Sequence, residues 1–341
     1  MKIIDLFSGI GGFSLGFQKA GYQFTEHYFS EIDKHAIANY KYNFPHAKYI
    51  GDITSIHGGD FTDIDIITFG SPCQDFSLAG KREGLKGSKS SLIQHAIALI
   101  TDIRPSVFIW ENVKGAFSSN AGADFWAILQ ALANIGGYRL EFQLLNTKWL
   151  LPQNRERIYL IGHLAGRSIP GVFPIGENDK LLKQETRKEN EEFPSIKTSP
   201  ARTITSRYHK MGSNDTYIIP KKAATLTGGG HSGGLHSDMT VIQINPSTES
   251  NGRQPYQQNR VFDERGISPA LTRHNSNYAI SRMRRLTEIE CERLQGFPDN
   301  WTQYGNYDSI IKPIARTQRY KLIGNAVTVD IVELIAKRLK L

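Results

Sequence analysis

Gly70-Ser71-Pro72-Cys73-Gln74 closes a short apolar run, Ile64-Asp65-Ile66-Ile67-Thr68-Phe69, and opens a polar, glycine-rich stretch that reaches about Ser91. A thiol is thereby placed at the end of an expected strand, where open α/β sheets gather ligands and catalytic groups. A group of complementary chemistry follows: Val107-Phe108-Ile109-Trp110 reads as a buried strand ending in Glu111-Asn112-Val113. Desolvation beside such a strand favours the protonated carboxyl, as a general acid requires. Taken singly, each group has an ordinary reading. A lone cysteine is most often a small buried hydrophobe and a lone glutamate a solvated loop residue. Together, Cys73 and Glu111 read as a nucleophile and an acid at adjacent strand ends. Arg155 and Arg157, in Gln153-Asn154-Arg155-Glu156-Arg157, share one face of an extended chain. Two forked guanidiniums on one face can grip a phosphate and a base carbonyl together.

These groups need a scaffold, and the first thirty residues begin one. Lys2 to Phe7 reads as a strand, Ser8-Gly9-Ile10-Gly11-Gly12 as a tight turn, and Phe13, Leu15, Phe17 and Ala20 as the apolar stripe of a helix ending at Gly21. Strand, glycine turn and helix make a cradle for a carboxylate or phosphate. The dinucleotide fingerprint is incomplete, because Ser14 stands where its third glycine belongs. An adenosine-bearing cofactor without a pyrophosphate is therefore favoured. A second strand, Phe24 to Ser30, leads to Glu31, twenty positions after Gly11, the place of a ribose-binding carboxylate in such folds. Asp52, after Gly51, has the chemistry to accept from the adenine amino group, and is equally an ordinary turn residue. Helical periodicity over Leu92–Ile100 and Phe125–Leu132, a strand over Tyr138–Leu145, and a final stripe of Ile331, Leu334, Ile335 and Leu339 complete the α/β alternation of a doubly wound sheet.

Composition sets the frame for that sheet. The chain has 341 residues, 39% hydrophobic and 22% charged, enough for a large domain plus a smaller one. Its N-terminus has Asp5 and then glycines where a signal peptide needs an unbroken apolar run, so a cytoplasmic protein is expected. Cys73 and Cys291 are the two cysteines, far apart, which indicates neither a disulfide framework nor a zinc cluster. The net charge of +8 is local. Residues 164–285 carry 18 Lys and Arg against 11 Asp and Glu, while 1–163 carry 15 of each. A basic middle segment between near-neutral ends points to a polyanion reader grafted onto a catalytic domain. Within it, Ala201-Arg202-Thr203-Ile204-Thr205, Ala224-Thr225-Leu226-Thr227 and Pro269-Ala270-Leu271-Thr272 lead into polar loops that close on Tyr217-Ile218, Val241-Ile242 and Tyr278-Ala279-Ile280. These read as strand–loop–strand units whose loops hold base-reading residue types.

Six ordered blocks resemble the DNA cytosine-5 methyltransferases of bacterial restriction-modification systems and their orphan and phage relatives. They are Phe7 to Gly12, Gly70 to Gln74, Glu111 to Val113, Gln153 to Arg157, Arg285-Leu286-Thr287 through Gly296-Phe297-Pro298, and Gly324-Asn325-Ala326-Val327. The resemblance spans the chain except its middle. It implies a doubly wound S-adenosylmethionine-dependent methyltransferase domain, 1–163 plus 313–341. A smaller, mostly β and loop target-recognition domain with its hinge, 164–312, would be inserted, with DNA in the cleft. It implies S-adenosylmethionine as cofactor, held by Phe7, Ser8, Gly9, Ile10, Gly11, Gly12, Glu31, Ile32, Asp52, Ile53, Gly70, Pro72, Asn325 and Val327. No metal is implied. Cys73 would add to carbon 6 of a flipped-out cytosine, Glu111 would assist at the ring, and Arg155 and Arg157 would hold the nucleotide. Double-stranded DNA is the implied partner, with the enzyme a monomer on it and a restriction endonuclease encoded separately. Three other readings stay open on sequence: an RNA cytosine methyltransferase, a non-catalytic DNA-binding regulator on the same scaffold, and a thiol-dependent nicotinamide dehydrogenase.

Overall fold

The computed structural model describes residues 1–70, 92–176 and 284–341, and between the last two only the strand residues 201–202 and 217–218. Ser71, Pro72 and Cys73, and most of the basic middle segment, lie outside the described residues. The chain divides into one unit of Met1–His209 with Glu288–Leu341 and another of Lys210–Thr287. This division falls inside the 164–312 segment expected as the inserted domain.

Seven strands form the central sheet of the first unit: β1 (Lys2–Leu6), β2 (Glu26–Ser30), β3 (Lys48–Tyr49), β4 (Ile66–Gly70), β5 (Val107–Val113), β6 (Tyr138–Asn146) and, after a short β7 (Gln153–Asn154), β8 (Glu156–Leu164). Their order is β3-β2-β1-β4-β5-β8-β6. The pairs from β3 through β5 are parallel, and β8 is antiparallel to both β5 and β6. The winding reverses between β1 and β4, so the carboxyl ends of these two strands flank the crevice of a doubly wound sheet.

Side-chain alternation sends the two faces of β1 to different cores. Ile3 packs with Phe13 and Phe17 of α1 (Gly12–Lys19), while Ile4 and Leu6 pack toward α3 (Leu92–Ile103) and α4 (Ala123–Asn134). A third cluster joins Tyr40 and Phe44, on and just after α2 (Lys34–Asn43), to Phe297 and Leu322. The C-terminal elements belong to this unit: α5 (Glu288–Leu294), the hairpin of β12 (Tyr304–Tyr307) with β13 (Ile310–Pro313), α6 (Arg316–Asn325) and α7 (Val329–Arg338). Cys291 on α5 is fully buried, in keeping with a packing role. Of the expected strand–loop–strand units, Ala201–Arg202 (β9) and Tyr217–Ile218 (β10) are strands, but not partners. β9 pairs in parallel with β7, and β10 pairs antiparallel with β11 (Arg284–Arg285). Among the described residues, no helix is long and apolar enough to cross a membrane.

α1 and α7 approach closely because residue 16 is glycine. A Cβ there would lie 2.6 Å from Val332 Cβ and 3.0 Å from the Val329 carbonyl oxygen. Neither neighbour is the end of a flexible side chain. Gly16→Ala would gain about 1 kcal/mol of helix propensity and incur an overpacking cost of about 1–3 kcal/mol. The expected net result is destabilisation by up to about 2 kcal/mol, read as a lower urea midpoint with an unchanged m-value.

Candidate active site

At the switch point lies a cavity of about 370 Å³. Its described lining comes from the end of each neighbouring strand: Phe7, Ser8 and Gly9 after β1, Glu31 and Ile32 after β2, Gly70 of β4, and Glu111 of β5. Asp52 and Ile53 add one rim, and Asn325, Ala326 and Val327 close the opposite wall. All described residues expected to hold a cofactor line this cavity except three.

Ile10, Gly11 and Gly12 do not line it. Ile10 is fully buried with Phe29, Tyr40 and Phe44. Gly11, at φ +83°, would put a Cβ 2.3 Å from the Phe44 ring, and Gly12 would meet Val327 Cγ2 at 2.6 Å. These two glycines therefore serve protein–protein packing: they let the turn lie against α2 and against the 325–328 wall. Gly9 differs. At φ +54° it has open space around the Cβ position, which leaves its backbone accessible from the cavity.

The turn is tied to β2 through Glu31. Glu31 Oε2 accepts from the Gly9 amide at 2.9 Å, and Oε1 accepts from the Ile32 and Asp33 amides at 2.7 and 3.0 Å. A carboxylate so fixed still has lone pairs for ligand hydroxyls. Ile32 beside it is 73% exposed, an apolar surface offered to the cavity rim. Asp52 serves in a turn as well, its Oδ1 accepting from the Thr54 amide at 3.0 Å. Asp33, missed in the sequence, also lines the cavity and caps α2. Burial works against its charge, but Lys321 at 2.6 Å and the His35 and Ala36 amides hold its carboxyl below the ordinary range. The cap spacing, Asp one residue before a helix, was the available signal.

Glu111 and Arg157 line the β5 and β8 side of the cavity. Gly70 on β4 registers with Glu111 on β5, which places Glu111 beside the strand that leads to Cys73 three residues on. In the next ladder Glu111 pairs with Tyr159 and Val113 with Arg157, so Arg157 is a diagonal same-face neighbour of Glu111. Arg157 Nε lies 3.1 Å from Glu111 Oε1, with both side chains mostly buried. The contact is an ion pair without hydrogen-bond alignment: Oε1 has no hydrogen-bond partner, and neither has buried Ser8 Oγ. Both residues line the cavity. Each buried polar atom left without a partner costs about 1–3 kcal/mol, which a polar ligand would recover.

Arg155 has a structural tie that the sequence did not show. It lines the cavity, but its guanidinium donates to the Ala326 carbonyl at 2.7 Å and reaches the Gly324 carbonyl at 3.5 Å. The two arginines share a face of the chain and diverge at their tips. Arg155 holds the C-terminal wall and Arg157 faces Glu111. Gln153 performs a similar anchoring, its side-chain amide donating to the Leu294 carbonyl at 2.9 Å.

A sheet wound in this way, with its cavity at the switch point and carboxylates at successive strand ends, belongs to the doubly wound α/β class, whose ligands bind at that point. Solved structures agree on the fold. The Dnmt2 methyltransferase of S. pombe superposes with a TM-score of 0.58 at 17% identity, covering 98% of this chain and 96% of that one. The methyltransferase EhMeth of Entamoeba histolytica gives 0.61 at 15%, covering the same shares. In sequence, the Type II methyltransferase M.NgoBI of Neisseria gonorrhoeae is 31% identical over 98% of this chain and 92% of its own length. The Type II methyltransferase M.Bsp6I of a Bacillus species is 29% identical over 99% and 98%. The model of the C-5 cytosine-specific DNA methylase family matches residues 1–341, and the chain belongs to that family: it is a DNA cytosine-5-methyltransferase.

Replacing Arg155 by Met should expose what its guanidinium holds. The Ala326 carbonyl would lose its bond to a group that is 3% exposed. A loss of about 2–4 kcal/mol in urea unfolding is expected. Arg157→Met, whose partner is a cavity residue, should cost less stability than Arg155→Met.

Proposed function

We propose that the protein transfers a methyl group from S-adenosylmethionine to carbon 5 of a flipped-out cytosine, within a specific sequence of double-stranded DNA, through a covalent Cys73 adduct at carbon 6. The observation that carries this reading is Glu111 in the switch-point cavity, its Oε1 ion-paired with Arg157 but without a hydrogen bond, in register with the strand leading to Cys73.

The residues present fit the cofactor. Glu31 offers a fixed carboxylate for a pair of ribose hydroxyls, Ile32 an apolar surface for a purine, Ser8 Oγ a free hydroxyl, and the Gly9 turn an open backbone. When bound, S-adenosylmethionine supplies an electrophilic methyl on a sulfonium. Asn325, Val327 and the wall held by Arg155 would close over it.

The protein's own chemistry follows from cytosine. Carbon 5 is a weak nucleophile, so the Cys73 thiolate adds to carbon 6, forming a C–S bond and pushing the ring electrons toward nitrogen 3. Glu111 supplies or stabilises the proton there, and Arg157 holds Glu111 in place while offering its remaining N–H groups to the base. Carbon 5 then takes the methyl group. Loss of the carbon 5 proton to a base restores the ring double bond and expels the thiolate. Because the ring face is hidden in a duplex, the cytosine must leave the stack, at a cost of a few kcal/mol. The basic middle segment would read the duplex and neutralise its phosphates. A cognate endonuclease encoded elsewhere and a monomer on DNA complete the proposal.

Bisulfite sequencing of DNA from a host expressing the wild type, beside Cys73→Ala, tests the reading. Methylated cytosines within one short motif, absent from the control, are expected. Unmethylated DNA in both hosts, with folded protein present, would overturn it and direct attention to RNA. Glu111→Gln should lower kcat by at least about 100-fold while DNA affinity changes by less than about threefold. Comparable losses in kcat and DNA affinity would instead assign Glu111 to DNA binding.

A further inference from the structure

Five side chains that the proposed mechanism does not use meet on the buried side of the Phe7–Gly12 turn. Asp5 comes from β1, Ser14 from α1, His27 from β2, Tyr40 from α2 and Thr68 from β4. Thr68 Oγ1 donates to Asp5 Oδ1 at 2.9 Å, and Ser14 Oγ and Tyr40 OH lie 3.1 and 3.2 Å from Asp5 Oδ2. Ser14 Oγ and Tyr40 OH are 2.7 Å apart, and His27 Nε2 is 2.7 Å from Tyr40 OH and 3.0 Å from Ser14 Oγ.

Hydrogen positions can be assigned to this cluster in two complete ways. With Asp5 ionised, His27 Nε2–H donates to Tyr40, Tyr40 to Ser14, and Ser14 to Asp5. With Asp5 protonated the chain reverses: Asp5 donates to Ser14, Ser14 to Tyr40, and Tyr40 to an unprotonated His27 Nε2, the added proton being held on His27 Nδ1 so that the imidazole stays neutral. Either state fills the two shortest contacts, so a proton can enter or leave without stranding a buried group. Asp5, Ser14, Tyr40 and Thr68 are fully buried, whereas His27 is 7% exposed and gives the chain an outer end.

We propose that this cluster is a one-proton exchanger carried by the elements that frame the cofactor cavity, behind the residues that line it, and that it makes the cavity prefer a cationic ligand to its neutral counterpart increasingly as pH rises. The inference rests on the reading that the cavity takes S-adenosylmethionine, whose demethylated product is a neutral thioether at the same sulfur. Glu31 is the link: its carboxylate lines the cavity and its charge acts on Asp5 across the turn, disfavouring Asp5 ionisation. A cation bound in the cavity acts in the opposite sense and favours loss of the Asp5 proton.

The charge state of the cluster falls in the physiological range. Burial pushes the Asp5 carboxyl up to about 7, against the hydrogen bonds from Thr68, Ser14 and Tyr40 and with the repulsion from Glu31. Burial also lowers His27 to about 4 and raises the Tyr40 hydroxyl well above its ordinary value. Between pH 6 and 8, then, Asp5 is the member that titrates. The sign follows: Asp5 is neutral below this window and negative above it, so attraction for a sulfonium grows with pH.

Isothermal titration calorimetry tests this on the intact wild-type protein, with S-adenosylmethionine and S-adenosylhomocysteine as probes, in buffers of differing ionisation enthalpy. The ratio of the two affinities should shift at least about threefold toward the sulfonium from pH 6 to pH 8. Proton release near pH 7 should be greater for the sulfonium than for the thioether. In Asp5→Asn the ratio should be independent of pH. Tyr40→Phe, which cuts the chain, should move the pH of the shift while both ligands still bind. Equal proton counts and a flat ratio in the wild type, with both ligands bound, would overturn the exchanger and leave the cofactor reading intact. Failure of either ligand to bind the wild type would overturn both.

Discussion

The parallel pairing of β1 with β4 is the constraint on which the rest of the site depends. Because the winding reverses there, the glycine turn after β1 and the strand leading to Cys73 open onto one crevice, and β5 brings Glu111 to the same level. Register does the fine positioning. A one-residue slip of β5 would turn Glu111 to the other face and present Trp110 to the cavity. Phe108 and Trp110 pack with the α3 and α4 layer, while Val107 and Ile109 pack with the α1 and α7 layer. With both faces committed to apolar cores, the slip would exchange the two sets between differently shaped cores and bury a carboxylate on the α3 and α4 side. The chemistry at the strand end is thereby held in place by four hydrophobic residues that take no part in it.

Around the cavity, polar groups divide by whether the protein satisfies them. Arg155 donates to backbone carbonyls, Glu31 accepts from three amides, and Asp33 is matched by Lys321 and the start of α2. These groups fix the walls. Ser8 Oγ and Glu111 Oε1, by contrast, are buried atoms of cavity-lining residues without a hydrogen-bond partner. Desolvating such atoms is expensive enough that two in one cavity mark it as a place completed by a polar ligand. The buried Asp5 cluster shows the contrasting arrangement, in which every polar group is matched, and matched in two protonation states.

What was legible in the sequence was local. Apolar runs ending in chemistry-bearing residues gave β4 and β5, and the glycine turn gave β1 and α1, because each depends on neighbours within a few residues. The elements that went unread depend on distant partners. α2 has a weak apolar stripe and is held by Asn39, whose amide donates to the Trp301 and Tyr304 carbonyls. α6 is likewise polar along much of its length, and its Glu292–Arg319 and Asp33–Lys321 pairs reach across the fold. Period-two alternation put Arg155 and Arg157 on one face correctly but carried no information about a carbonyl 171 positions away. The packing at Gly11 and Gly12 was illegible for the same reason. Their close neighbours, Phe44 and Val327, are tertiary contacts, whereas a glycine-rich turn by itself looks alike whether a ligand or a side chain fills the space.

The cavity is completed only when the end of the chain returns to its beginning. Gly16 accepts Val332 at close range, Lys19 pairs with Asp330 and Glu333, and Arg155 holds the Gly324 and Ala326 carbonyls. These contacts bridge more than 150 residues of chain, the basic segment included. Closing a loop of that size costs little more than closing one half as long, since the entropy grows only with the logarithm of length. The segment's two flanks also meet the same unit: β9 pairs with β7 on one side, and α5 receives the Gln153 amide on the other. A segment can therefore be inserted, lengthened or exchanged at this point while the cavity keeps its geometry, because the anchors that shape the wall lie outside the insertion.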